Sequence, residues 1–278
     1  MVLRKGDHGD EVKILQHDLN KLGAMLLVDG DFGPGTRNAV ISARQLLGRP
    51  GLPDATGVAD DDLQHALAAA ADPCPELTSS GMTFIAREEV SDAVTYERRY
   101  QLPTCPPAPS GVTIGIGYDC RFVTRSEFTA DWSDFLPAAA IAKMLGVLGQ
   151  VGTAALLETV STVTVPLPAA MQVFARRSVP KYLADTRTIY PEVDDLSPAR
   201  RTALVSLVYN RGTDLTGDRR REMRTIQELL AAGRLDDVDE QFDAMVRLWD
   251  PAIAGGLITR RHAEAALWRS GFAAVQLE

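Results

Sequence analysis

The chain of 278 residues has no long apolar run, little aromatic content and only three cysteines. Each scarcity removes a class of protein. Its most apolar stretch, 136–157, is broken by Lys143 and Gln150 and is dense in Ala and Gly, so it reads as buried helices rather than a membrane span. Cys74, Cys105 and Cys120 are too few and too irregular for a disulfide framework and lack CxxC spacing for zinc. Cys105 and Cys120 flank a glycine-rich segment, where they either pair in an oxidising compartment or remain free thiols. His8, His17, His65 and His262 show no metal-ligand spacing, so no metal is expected. There is no Walker loop and no Ser-His-Asp order, and Gly115-Ile116-Gly117 lacks the third glycine of a dinucleotide fingerprint, so no cofactor is implied. Positive charge is in deficit: 29 Lys and Arg against 37 Asp and Glu leave a net −8. That balance argues against nucleic-acid binding and against a cationic membrane-active tail. Arg219-Arg220-Arg221 is offset along the sequence by Asp214, Asp218 and Glu222 and reads as a solvated helix start. The opening Met-Val-Leu-Arg-Lys-Gly-Asp has no apolar core of a signal peptide.

What is present is ordinary globular composition, 45% hydrophobic and 24% charged, over a length that suits one large domain or two ordinary ones. Val12, Leu15, Leu19 and Leu22 recur at helical spacing between Gly9-Asp10 and Gly23. A tight turn, Asp29-Gly30-Asp31-Phe32-Gly33-Pro34-Gly35, precedes Thr36, which is expected to cap a second helix carrying Ala39, Val40, Ala43 and Leu47. A similar turn at 54–58 leads to a third helix, 60–69. Residues 1–72 are therefore expected to form a three-helix domain, 73–81 a Pro- and Ser-rich linker, and 82–278 a second domain. Helices are expected near 82–92, 136–149, 152–160, 167–184, 197–211, 220–232, 235–249 and 259–269, with one non-helical region at 100–120. The fold class is α+β, mostly helical, with a short β-hairpin region.

The hairpin region carries chemistry. Gly111-Val-Thr-Ile-Gly-Ile-Gly-Tyr-Asp119 holds the hydroxyl of Thr113 and the carboxylate of Asp119, and its glycines let a polymer come close. Upstream, Glu88-Glu89 lies on a predicted helix. A carboxylic acid facing a carboxylate and a hydroxyl is the minimum set for cleaving a glycosidic bond. Glu89 falls four residues after Ile85 on one helical face, so its carboxyl is expected against buried surface, kept protonated as a general acid. Glu88 lies about 100° around the helix and is the rival acid.

These pieces carry two resemblances. Leu3, Gly6, Gly9, Val12, Leu15-Gln16, Leu19 and Gly23, followed by Asp29-Gly30, Phe32-Gly33, Thr36 and Ala39-Val40, resemble the peptidoglycan-binding domain found beside cell-wall hydrolases. Residues 82–271 are similar to phage-type lysozymes of glycoside hydrolase family 24, and more closely to the variant catalytic domain of pesticin. The matching pieces are Glu89 with Tyr96, Thr113–Gly117, Ala203–Gly212, and Gly256–Glu264. Where phage-type lysozymes place an aspartate six residues before the threonine, this chain has Pro107. The pesticin-like arrangement puts one six residues after it, where Asp119 stands, with Asp92 and Glu97 as other candidates.

The resemblance implies catalysis by Glu89, Thr113 and Asp119, and substrate contacts from Tyr118, Asn210 and Arg260. Asn210 is equally a turn-capping amide, and Arg260 either pairs with the catalytic glutamate or is a surface charge. Wall contacts are implied at Asp29, Phe32 and Thr36. The expected activity is that of an N-acetylmuramidase, with inversion favoured. Peptidoglycan is the expected partner, with no nucleic acid and no membrane insertion, for a monomer. The expected setting is a phage endolysin made in the host cytoplasm without a signal peptide and acting in the periplasm. A secreted antibacterial effector, a lytic transglycosylase or a non-catalytic wall-binding protein are the alternatives.

Overall fold

The computed structural model describes residues 1–48 and 57–271. The expected turn at 54–58 therefore lies mostly outside the described residues. The described chain is mostly helical with one two-stranded antiparallel sheet. It divides into two compact units, one of Met1–Pro75 with Ala86–Ser178, the other of Glu76–Ile85 with Val179 onwards.

The first unit begins with α1 (Asp10–Lys21), α2 (Pro34–Leu46) and α3 (Asp61–Ala68). Their apolar stripes meet: Val12, Leu15 and Leu19 pack with Val40, Ala43, Leu63 and Leu67 around Phe32 and Leu3. Each Val, Leu and Phe side chain among them contributes roughly 1.5–3 kcal/mol by leaving water. Asp60 caps α3 by accepting from the Leu63 amide at 2.9 Å. The expected cap of α2 is corrected: Gly33 is the N-cap and Pro34 the first helical residue, because Thr36 points inward.

Helix α4 (Thr78–Val90) starts four residues before the expected 82, inside the stretch read as linker, and the chain crosses between the units after Ile85. The rest of the first unit is α5 (Ala93–Arg99), the hairpin β1 (Thr113–Ile114) and β2 (Tyr118–Asp119), α6 (Arg125–Trp132), α7 (Ala138–Met144), α8 (Ala154–Val160) and α9 (Leu167–Val173). The single helix expected over 167–184 is interrupted by a π-helical segment, Phe174–Ser178. Helices α5, of seven residues, and α6, of eight, were not expected. A capping box at Thr124 and Glu127 marks the start of α6 and is legible in sequence.

The second unit adds α10 (Val179–Ile189), α11 (Pro198–Arg211), α12 (Arg221–Ala231), α13 (Asp239–Ala244) and α14 (Pro251–Ser270). Ala203 through Val208 are all buried, so α11 is the central helix of this unit. Tyr190 donates to the Met223 carbonyl at 3.1 Å and Trp268 to the Leu235 carbonyl at 2.7 Å, which satisfies the polar ends of two buried rings.

Candidate active site

The hairpin is shorter than the sequence suggested. Thr113-Ile114 is the strand, and Gly115-Ile116-Gly117 is its turn, with φ of 59° at Gly115 and 67° at Gly117. Only glycine adopts that left-handed backbone without strain. The turn sets the register: Thr113 pairs with Asp119 and Ile114 with Tyr118. Directly opposed residues share a face, their Cβ atoms about 5 Å apart. Ile114 and Tyr118 therefore fill the core side, 1% and 5% exposed, while the hydroxyl of Thr113 and the carboxylate of Asp119 occupy the other face, both half-buried. A further rung forms on the far edge, where Thr104 and Thr113 exchange two backbone hydrogen bonds of 2.9 Å.

Asp119 has a structural duty as well. Its Oδ1 accepts from the Gly111 amide at 3.0 Å and the Arg121 amide at 2.9 Å, tying the loop before β1 to the turn after β2. Its Oδ2 accepts no hydrogen bond from the described residues. A Cβ on Gly111 would lie 2.8 Å from Asp119 Oδ1 and 2.7 Å from the Arg121 Cβ, so this approach requires glycine. The Thr113 hydroxyl donates to the Gly111 carbonyl at 3.4 Å.

Tyr118, expected at the substrate, faces the core instead. Its hydroxyl donates to Asp131 at 2.7 Å and its ring packs edge-on against Phe128 and Trp132. Asp131 also faces the Arg177 guanidinium at 3.7 Å, and Arg177 pairs with Glu127 at 2.7 Å. Glu127 closes the chain of contacts by capping α6; the Arg177 guanidinium first, and then the Thr124 amide, pull its carboxyl down to about 2. Burial, with Asp131 added, pushes the Tyr118 phenol well above its usual range. The π-helical segment carries Arg177. Sequence reasoning missed this network because its bonded partners lie up to 50 residues apart.

Glu89 is on the last turns of α4 in the same unit as the hairpin, half-buried beside buried Ala86 and Val90. Glu88 is also half-buried. Of the other carboxylates, Asp92 is the N-cap of α5, accepting from Thr95 at 2.7 Å, and Glu97 is exposed. All three cysteines are free thiols; burial pushes that of Cys120 up to about 12. Asn210 and Arg260 belong to the other unit. Asn210 is exposed at the end of α11. Arg260 is no surface charge: it is 4% exposed and donates to the Ser206 carbonyl at 3.0 Å and to Glu264 at 3.3 Å.

In the N-terminal module the turn is built around Gln16, which is 2% exposed. Its Nε2 reaches Asp29 Oδ1 at 2.7 Å, the Asp31 carbonyl at 3.0 Å and Thr36 Oγ1 at 3.2 Å, while its Oε1 accepts from the Gly30 amide at 2.9 Å. Asp29 is exposed, its carboxyl held below the usual range by the Asp31 amide and then by Gln16. Phe32 and Thr36, expected to touch the wall, are 2% and 3% exposed and sit inside. Their effect is to shape the turn, because an aromatic ring and a paired hydroxyl gain more from the core than from water.

Residues 8–67 match the family described as "Putative peptidoglycan binding domain". The match spans α1 to α3 and supports peptidoglycan as a partner. Across the whole chain, the crystal structure of Burkholderia AP3 phage endolysin is similar at 18% identity, covering 97% of this chain and 99% of that one, with a TM-score of 0.23. No curated protein matches the chain. Among the described residues, no helix is long and apolar enough to cross a membrane and no group of His, Cys, Asp and Glu is placed to hold a metal.

Proposed function

We propose that the protein is a peptidoglycan hydrolase of the muramidase type. In this reading residues 1–72 hold it on the wall, 73–81 join the parts, and 82–278 cleave the β-1,4 bond between N-acetylmuramic acid and N-acetylglucosamine. The observation that carries the reading is the pairing of Thr113 with Asp119 on one hairpin face, in a chain whose first helices match a wall-binding family. Glu89 is the general acid. Its proton passes to the glycosidic oxygen as the bond from that oxygen to the anomeric carbon breaks. The free Oδ2 of Asp119 takes a proton from a water whose oxygen attacks the same carbon, and the Thr113 hydroxyl orients that water. Asp119 suits the task because Oδ1 is fixed by two amides while Oδ2 is left for the water. Binding to the wall raises the local concentration of glycan at the site. The biological setting we favour is host lysis by a phage endolysin acting in the periplasm.

Mass spectrometry of digested sacculi tests this. The wild type should release fragments with reducing N-acetylmuramic acid ends. Glu89→Gln should release none while still co-sedimenting with sacculi. Anhydro ends would assign the chemistry to a lytic transglycosylase, and no release by the wild type would leave a wall-binding protein. An effector would be distinguished by a cognate protein that blocks its activity.

A further inference from the structure

The arginine run that looks neutralised in sequence is not neutralised in space. Glu222 is 2% exposed and is taken by Arg247 at 2.6 Å and Arg221 at 3.2 Å. Asp218 is taken by Arg247 at 2.9 Å and faces Arg221 at 3.7 Å. Among the described residues Arg219 and Arg220 form no ion pair, Arg220 donating to the Met223 sulfur at 3.7 Å, and with Arg211 they line a cavity of about 330 Å³ together with Asn210, Asp214 and Thr216. Asp214 is the single carboxylate there, and its Oδ1 already accepts from the Thr216 amide at 2.9 Å and hydroxyl at 2.8 Å. The lining thus carries three cations against one anion.

Arg211 shows the consequence. Its guanidinium lies over the Trp249 ring, 5.3 Å from the centroid, and donates to the Arg219 carbonyl at 2.6 Å, while its Nε is buried with no hydrogen-bond partner. Burial, and then the neighbouring charges of Arg220, Arg261 and Arg219, pull it down to about 10. Like charges held together are costly, and an anion in the cavity lowers their mutual repulsion. The loop from Gly212 to Gly217, with left-handed φ of 71° and 77° at its ends, contributes Asp214 and Thr216 to the lining.

We propose that this cavity is a subsite for the carboxylates of the peptide stems that hang from the glycan, with Arg211, Arg219 and Arg220 as the recognising cations and Asn210 and Thr216 as neutral hydrogen-bonding partners. The proposal rests on the peptidoglycan reading above and adds a peptide-recognising element to it. Planar guanidiniums match a carboxylate in a two-pronged geometry, and a volume of this size admits the end of a peptide rather than a single ion.

The test is isothermal titration of the full chain with synthetic N-acetylmuramoyl pentapeptide, beside the same compound with its carboxyls amidated. The acid form should bind, weaken as salt rises, and lose about tenfold in affinity in Arg219→Ala/Arg220→Ala. The paired lysine variant should recover part of the loss. Arg219 is exposed and Arg220 half-buried, so an unchanged melting temperature shows that the variants fold. Equal binding of the amidated compound, no binding of the acid form, or undiminished binding in the alanine variant overturns the subsite. Release of reducing ends by the wild type is a separate readout, so failure of the hydrolase reading and failure of the subsite are told apart.

Discussion

Replacing Asp119 in two ways separates its structural duty from its chemical one. Oδ1 accepts two amides, at 3.0 Å from Gly111 and 2.9 Å from Arg121. Hydrogen bonds to a charged acceptor are worth roughly 1.5–3 kcal/mol each when buried. The site is half-buried, and water replaces part of that in a truncated variant. Asp119→Ala should therefore lose about 2–3 kcal/mol, or roughly 5–10 °C in melting temperature. Asp119→Asn keeps an oxygen in place and loses only the charge assistance, about 1 kcal/mol. Stability thus distinguishes Ala from Asn. Activity should not, since the amide cannot take a proton from water: both variants should fall by roughly a hundredfold or more. Calorimetry with release of reducing ends from sacculi reads both. An Asn variant that melts near wild type and still cleaves at near its rate would refute the argument, leaving Asp119 as a loop tie and moving the second carboxylate elsewhere.

Two further outcomes follow from the contacts. Gln16→Leu strips the buried Gly30 amide and Thr36 hydroxyl of a partner, so it should cost roughly 2–3 kcal/mol and reduce co-sedimentation with sacculi; unchanged melting and binding would show the hub to be dispensable. Glu127 has its folded pKa lowered to about 2 from an ordinary 4.5. The stability it contributes is therefore present above pH 4.5 and lost as pH falls towards 2. Glu127→Gln should melt below the wild type at pH 7, with the gap closing between pH 4.5 and 2.5; a gap independent of pH would refute the pairing with Arg177.

Much of the fold was legible because its signals are local. The stripe of Val12, Leu15 and Leu19 makes α1 wherever it is placed, while the turn at Gly115 and Gly117 shortens what reads as a longer glycine-laced strand. The sequence supplied both side chains, and the register set by that turn is what pairs Thr113 with Asp119 on one face. Helices α5 and α6, on either side of the region read as non-helical, were not expected.

Tertiary structure decided which polar groups face water and which charge meets which. Phe32, Thr36, Tyr118 and Arg260 look like contact residues in a one-dimensional pattern, yet each is buried, because its partner comes from a distant segment: Gln16 for Thr36, Asp131 for Tyr118, Ser206 for Arg260. The arginine run is the clearest instance. Its neighbours in sequence balance it, but Glu222 turns to Arg247, 25 residues away, and Arg219 and Arg220 keep their charge for the cavity. Coulomb attraction acts over ångströms in space and takes no account of order along the chain.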